Sequence, residues 1–132
     1  MPGCIVEHIG IVVKDLDQSL GLFEKLTGAR RGGVREMPEV GMRVASLEAD
    51  NIRIELIQYT TGSDGFGKKV MGAAPGYNHI SIQVVNMKAA LEAWSARGAR
   101  VMDGFPRPGS HGRVAFFEPE STGGLLLEIC EA

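Results

Sequence analysis

The sequence predicts an α+β domain built from two tandem copies of a strand, helix, strand, strand, strand module. Two observations carry this. First, Tyr77-Asn78-His79-Ile80-Ser81-Ile82-Gln83-Val84 restates Val6-Glu7-His8-Ile9-Gly10-Ile11-Val12-Val13 at a shift of 71 positions. Second, the same shift lays Leu16, Leu20 and Phe23 over Met87, Leu91 and Trp94, two apolar stripes at helical spacing. The shift drifts to 70, with Pro38 over Pro108 and Leu47 over Phe117, and ends at 73, with Glu55 over Glu128. Small changes of offset at loops are expected of a duplicated unit. The modules run over residues 5–59 and 77–131 of a single domain, 1–132, joined by a glycine-rich linker at 60–76. Half a chain buries too little surface to be stable by itself, so one fold made of both copies is expected.

Each element follows from local pattern. Alternation in the first strand sends Ile9, Ile11 and Val13 to the core and His8, Gly10 and Val12 to the opposite face. Lys14-Asp15-Leu16-Asp17 offers a capping aspartate for a helix that starts near Asp17, buries Leu16, Leu20, Phe23 and Leu26, and stops at Gly28. Strands are expected over 29–36, 42–47 and 52–57, with turns at 37–41 and 49–51. The linker reads as flexible and without a recognisable helix. The second module repeats the order: a strand from Tyr77, a helix over 87–98, and strands at 100–104, 114–117 and 125–130, with a rigid loop at Pro106–Gly112.

Composition excludes several classes. A formal charge of −2 offers no general attraction to nucleic acid or to an anionic membrane. No apolar run approaches the ~20 residues that span a bilayer, and Met1-Pro2-Gly3-Cys4 lacks the layout of a signal peptide. Cys4 and Cys130 form neither a close metal-binding pair nor a disulfide framework. A cytoplasmic protein with reduced thiols is therefore expected. Gly62 to Lys68 spells most of a phosphate-binding loop, but Lys69 stands where Ser or Thr must hold Mg²⁺, and a linker is the better reading.

The residues that carry chemistry fall on one face. Ile52, Ile54 and Leu56 take the core parity of their strand and send Glu55 across, just as Leu125, Leu127 and Ile129 send Glu128 across. Both carboxylates thus share the non-core face with His8 and His79. An unpaired carboxylate in such apolar surroundings costs several kcal/mol, so each needs a positive partner. Arg53 is one candidate partner for Glu55. The other is a divalent metal, since two imidazoles and two carboxylates suit Zn²⁺, Co²⁺, Ni²⁺ or Mn²⁺.

Two βαβββ units carrying His8, Glu55, His79 and Glu128 resemble the vicinal oxygen chelate superfamily of glyoxalases, bleomycin-resistance proteins and dioxygenases. The run from His8 to Asp17, the loop Pro106-Arg107-Pro108-Gly109-Ser110-His111-Gly112 and the turn Ser121-Thr122-Gly123-Gly124 are most similar to its methylmalonyl-CoA epimerase branch. The resemblance implies a curved, half-barrel-like mixed sheet around a metal cleft, the glyoxalase-like fold. It also implies an isomerase that removes and returns an α-proton while a divalent metal, held by His8, Glu55, His79 and Glu128, stabilises the enolate. Glu128 and Glu55 are then the candidate catalytic carboxylates, and Arg107 and His111 the candidate substrate contacts. The expected partners are a small-molecule substrate, with an acyl-CoA thioester as the candidate, and a second copy of the chain in a homodimer. Glu118-Pro119-Glu120 and Val44 depart from the epimerase pattern, which commonly has His-Pro-Lys and, in some members, a glutamate at these places. Two other readings stay open: a glyoxalase I-like lactoylglutathione lyase, and a non-catalytic binding protein of the drug-resistance type.

Overall fold

The computed structural model describes residues 3–62 and 65–131. They form two compact units, one of His8–Asn78 and one that joins the residues up to Glu7 with those from His79 onward. Among the described residues no helix is long and apolar enough to cross a membrane.

The first unit holds β1 (Val6–Val12, from His8 on), α1 (Leu16–Thr27), β2 (Arg30–Met37), β3 (Met42–Glu48), β4 (Arg53–Tyr59) and α2 (Phe66–Met71). Its strands pair in the order β2, β3, β4, β1, antiparallel except for the parallel β1/β4 pair. Helix α1 is capped by Asp15, whose carboxylate accepts from Gln18 N–H at 3.0 Å, and ends at Gly28 with φ of 73°. The cap is thus Asp15, and Asp17 lies inside the first turn, where its charge favours the helix N-terminus. Leu16 and Leu20 are fully buried against Ala45, Leu47 and Leu56, with Ile11, Val13, Phe23 and Ile54 packed around them. Leu26, expected in this stripe, is 72% exposed. At about 100° per residue it has turned about 80° away from Leu16. Gly32 marks a bulge in β2, where a Cβ would come within 2.9 Å of the Ser46 Cβ.

Part of the linker, expected to be flexible, is helical; Ser63 and Asp64 lie outside the described residues. Phe66–Met71 form α2, and a Cβ on Gly67 would meet the Val40 carbonyl at 2.9 Å, so the glycine permits close packing on the 3₁₀ turn Pro38–Val40. Tyr59 Oη donates to the Gly72 carbonyl at 2.6 Å and Asn78 Nδ2 to that of Met71 at 2.8 Å. Burial pushes the Tyr59 phenol up to about 12. Phe66, Val70 and Met71 supply the apolar signal of this helix, and the surrounding glycines mask it.

The second unit holds β5 (Gly76–Val84, from His79 on), α3 (Met87–Ala96), β6 (Arg107–Gly109), β7 (Gly112–Phe116) and β8 (Leu127–Glu131). The strands pair in the order β5, β8, β7, β6, again with one parallel pair, β5/β8. Within the same unit, Gln83 N–H donates to the Ile5 carbonyl at 2.9 Å. Asn86 caps α3 by accepting from Ala89 N–H at 2.8 Å. Met87, Ala115, Phe117 and Ile129 form the core, joined by Ile82, Val84 and Leu91, and Trp94 stacks on Phe117 at 4.9 Å. The strand expected over 100–104 contracts to one bridge, Val101 to Phe117. The paired strand forms later, at Arg107–Gly109, inside the expected loop, and Ser110-His111 becomes the turn of a β6/β7 hairpin.

Replacing Leu20 by Ala should therefore cost about 2–5 kcal/mol, whereas Leu26→Ala should stay within about 0.5 kcal/mol of the parent. Urea denaturation checks this, and equal losses in the two variants would contradict the packing described.

Candidate metal centre: two buried histidine–glutamate pairs

Each unit builds one pair by the same device. In the first, the parallel register sets Gly10 opposite Glu55, so His8, two residues earlier on β1, lies diagonally from the carboxylate on the same face. In the second, Ser81 stands opposite Glu128 and His79 is the diagonal neighbour. His8 Nε2 is 3.4 Å from Glu55 Oε1, and His79 Nε2 is 3.8 Å from Glu128 Oε1. The four residues are only 3%, 4%, 2% and 5% exposed, so solvent does not hydrate these carboxylates. The expected parity of all four holds.

The surroundings are apolar. In the first unit Val12, Val44 and Ile57 share the face and are buried, as is Ser46 opposite Glu55. In the second, the Phe116 ring lies edge-on to His79 at 5.0 Å, and Phe105 packs on Phe116 at 5.5 Å. Alternation through Val114-Ala115-Phe116-Phe117 carries this signal: Phe117 takes the core and Phe116 the opposite face. Arg53, considered as the partner of Glu55, donates from Nε to Glu48 Oε1 at 3.1 Å.

Nitrogen and oxygen donors together suit a borderline divalent cation. With metal–ligand bonds of about 2.0–2.2 Å, two donors of one tetrahedral ion lie roughly 3.4 Å apart. The His8–Glu55 pair meets that separation and the His79–Glu128 pair is a few tenths of an ångström wider. Each pair therefore fits as half of a metal ligand set.

The two expected substrate contacts differ in placement. Arg107 opens β6 opposite Val114, which lies opposite Cys130, so the arginine shares the face of Glu128 two strands further on. His111 is exposed in the hairpin turn, its Nδ1 3.2 Å from Ser110 Oγ, while its carbonyl accepts from the buried Cys130 thiol at 3.6 Å. The register puts Arg107 on the face of Glu128 and leaves His111 exposed in the hairpin turn.

The chain belongs to the glyoxalase/bleomycin resistance protein/dioxygenase superfamily, whose sequence pattern matches residues 7–117. Within that superfamily it is similar to ethylmalonyl-CoA/methylmalonyl-CoA epimerase of Cereibacter sphaeroides, 32% identical over 94% of this chain and 95% of the relative. It is also similar to mitochondrial methylmalonyl-CoA epimerase of Bos taurus, 30% identical over 96% of this chain and 74% of the relative. Among solved structures, a variant of Streptomyces coelicolor methylmalonyl-CoA epimerase in complex with 2-nitronate-propionyl-CoA superposes with a TM-score of 0.85 at 26% identity. That match covers 98% of this chain and 96% of the other. The fold is thus the glyoxalase-like fold of paired βαβββ modules.

A buried His–Glu pair kept for chemistry is dispensable for folding. In chelator-treated protein, the double variant His79→Leu/Glu128→Met should be neutral or more stable by up to about 4 kcal/mol. Urea denaturation measures this, and a loss of several kcal/mol would make the pair a structural one.

Proposed function

We propose that the protein is a metal-dependent epimerase of the methylmalonyl-CoA type, acting on an acyl-CoA thioester. The duplicated buried His–Glu pair carries this reading: two carboxylates desolvated beside two imidazoles make sense as a four-donor set for one divalent ion, Co²⁺, Zn²⁺, Ni²⁺ or Mn²⁺. His8, Glu55, His79 and Glu128 hold it. Such an ion, when bound, supplies Lewis-acid stabilisation of the negative charge that develops on the substrate oxygen. The similarity to epimerases, one of them in complex with an acyl-CoA analogue, supports the substrate class.

The remaining work falls to this chain's side chains. Inverting a stereocentre needs one group to take the α-proton from one face and another to return a proton to the opposite face. Glu128 and Glu55, one from each module, are the two carboxylates assigned to that exchange. Keeping water from both stops a carbanion from being quenched indiscriminately. Val12, Val44 and Ile57 on the face of Glu55, and Phe116 opposite Glu128, keep each carboxylate dry within its own unit. Val44 stands where some epimerases carry a further glutamate, which leaves Glu55 as the carboxylate available in the first module. Arg107 is assigned to an anionic group of the substrate and His111 to a contact at the rim.

The comparisons favour the isomerase over the glyoxalase I-like lyase, since the relatives described are epimerases. A binding protein that needs no metal has no use for four desolvated donors. A cytoplasmic homodimer belongs to the same proposal, supported by the superfamily resemblance and by the free thiols of Cys4 and Cys130.

Elemental analysis of protein purified without chelators should find about one divalent ion per chain. The variant His8→Ala/His79→Ala should hold none, and a metal-free parent that also refuses added Co²⁺ or Zn²⁺ would remove the reading. With methylmalonyl-CoA in deuterated water, the parent should exchange the α-hydrogen for deuterium. Glu128→Gln should lose about 10²–10⁴-fold of that rate with its circular dichroism unchanged; a fully active variant would sink the assignment of Glu128.

A further inference from the structure

The two modules differ beside their carboxylates. Opposite Glu55 in the parallel register lies Gly10, with no side chain; opposite Glu128 lies Ser81. Ser81 is 0% exposed, it shares the face of His79 and Glu128, and its Oγ has no hydrogen-bond partner among the described residues. Phe116 flanks Glu128 from the other neighbouring strand, closing this row to water. A buried hydroxyl left without a partner costs stability. Gly10 shows that the module folds with nothing at the equivalent place, so the architecture does not call for the hydroxyl.

We infer that Ser81 is a positioning residue for Glu128, its hydroxyl donating to the carboxylate when that group holds a divalent cation. The direction of the hydrogen bond is set by chemistry. An ionised carboxylate only accepts, whereas a serine hydroxyl also donates; a change of χ1 swings its oxygen, and rotation about Cβ–Oγ aims its proton. Held by Ser81 through one oxygen, Glu128 presents the other toward the cation in a fixed orientation. In the first module the place of Ser81 is taken by Gly10, which offers Glu55 no hydroxyl from β1. The duplicated ligands are thereby made unequal. This inference rests on the metal reading above and concerns a residue that is not itself a ligand.

The test compares Ser81→Ala with the parent in three measurements: Co²⁺ affinity by competition with a chelator, the visible spectrum of the cobalt-loaded protein, and the melting temperature of the metal-free protein. The expected result is an affinity lower by about 10–100-fold, a shifted cobalt spectrum, and a metal-free melting temperature equal to or above the parent's. Affinity within about twofold of the parent, with an unchanged spectrum, overturns the role of Ser81 while leaving the metal reading intact. A fall in the metal-free melting temperature also overturns it, by making the hydroxyl structural. A parent protein that binds no Co²⁺ removes the metal reading itself and this inference with it.

Discussion

Parallel pairing of the first and last strand of each module is the constraint on which the rest of the structure depends. Two strands that run the same way cannot be joined by a hairpin; the chain has to leave the sheet edge and return, which here takes the helix and two intervening strands. That detour brings His8 beside Glu55 and His79 beside Glu128, pairs far apart in sequence. It also needs its register pinned, because a slip of one residue would turn every side chain to the other face. Both modules fix it in the same way. Leu16 N–H, the first of α1, donates to Gln58 Oε1 at 2.8 Å, and Met87 N–H, the first of α3, donates to Glu131 Oε2 at 2.6 Å. Gln58 and Glu131 each lie three residues beyond the carboxylate of their own strand. The start of the helix is thereby tied to the strand that carries the site glutamate, and the helix end that follows the histidine strand sets where that glutamate sits.

Duplication repeats the donors without repeating what surrounds them. Ser46 faces Glu55 from β3, whereas Phe116 faces Glu128 from β7. Gly10 and Ser81 differ in the same way on the other side. The aromatic edge on His79 belongs to this asymmetry, since no aromatic residue occupies the matching place in the first module. There the matching place, opposite Glu55, is taken by the buried Ser46.

What the sequence made legible was whatever depends on period two and on repetition. The His–Glu faces and the two helical stripes all follow from alternation and from spacing, and the structure keeps them. What depends on a particular hydrogen bond was less visible. Asp15 and Asp17 are both plausible caps, and the choice of Asp15 follows from the Gln18 amide it reaches and from Leu16 being tied to Gln58. Leu26 satisfied the spacing to Phe23 but not the angle to Leu16. Helix α2 was hidden because glycine lowers helical propensity, while its packing on Val40 needs a residue as small as Gly67. In the second module Arg100 N–H is taken by Ser121 Oγ at 2.8 Å, and Glu118 N–H by the Arg100 carbonyl at 2.7 Å. The second of these bonds, with Met102 N–H on the Phe116 carbonyl at 2.9 Å, makes the single bridge; the first diverts the Arg100 amide to a side chain, and the paired strand forms at Arg107–Gly109.

The site is placed where stability gains least from it. Carboxylates and imidazoles on a dry sheet face contribute little to folding, because desolvation offsets much of the attraction within each pair. The cores that hold the modules together lie on the opposite face of each sheet, around Leu16, Leu20 and Leu56 in one and Met87, Phe117 and Ile129 in the other. One face of the same strands therefore stabilises the protein and the other is free to carry chemistry. Glu55 sits between Ile54 and Leu56, and Glu128 between Leu127 and Ile129, so the backbone of each carboxylate is anchored by the core residues on either side of it. The apolar alternation that makes these strands fold is also what holds the acidic oxygens in place, and this lets a polar site this buried be rigid without being the source of its own stability.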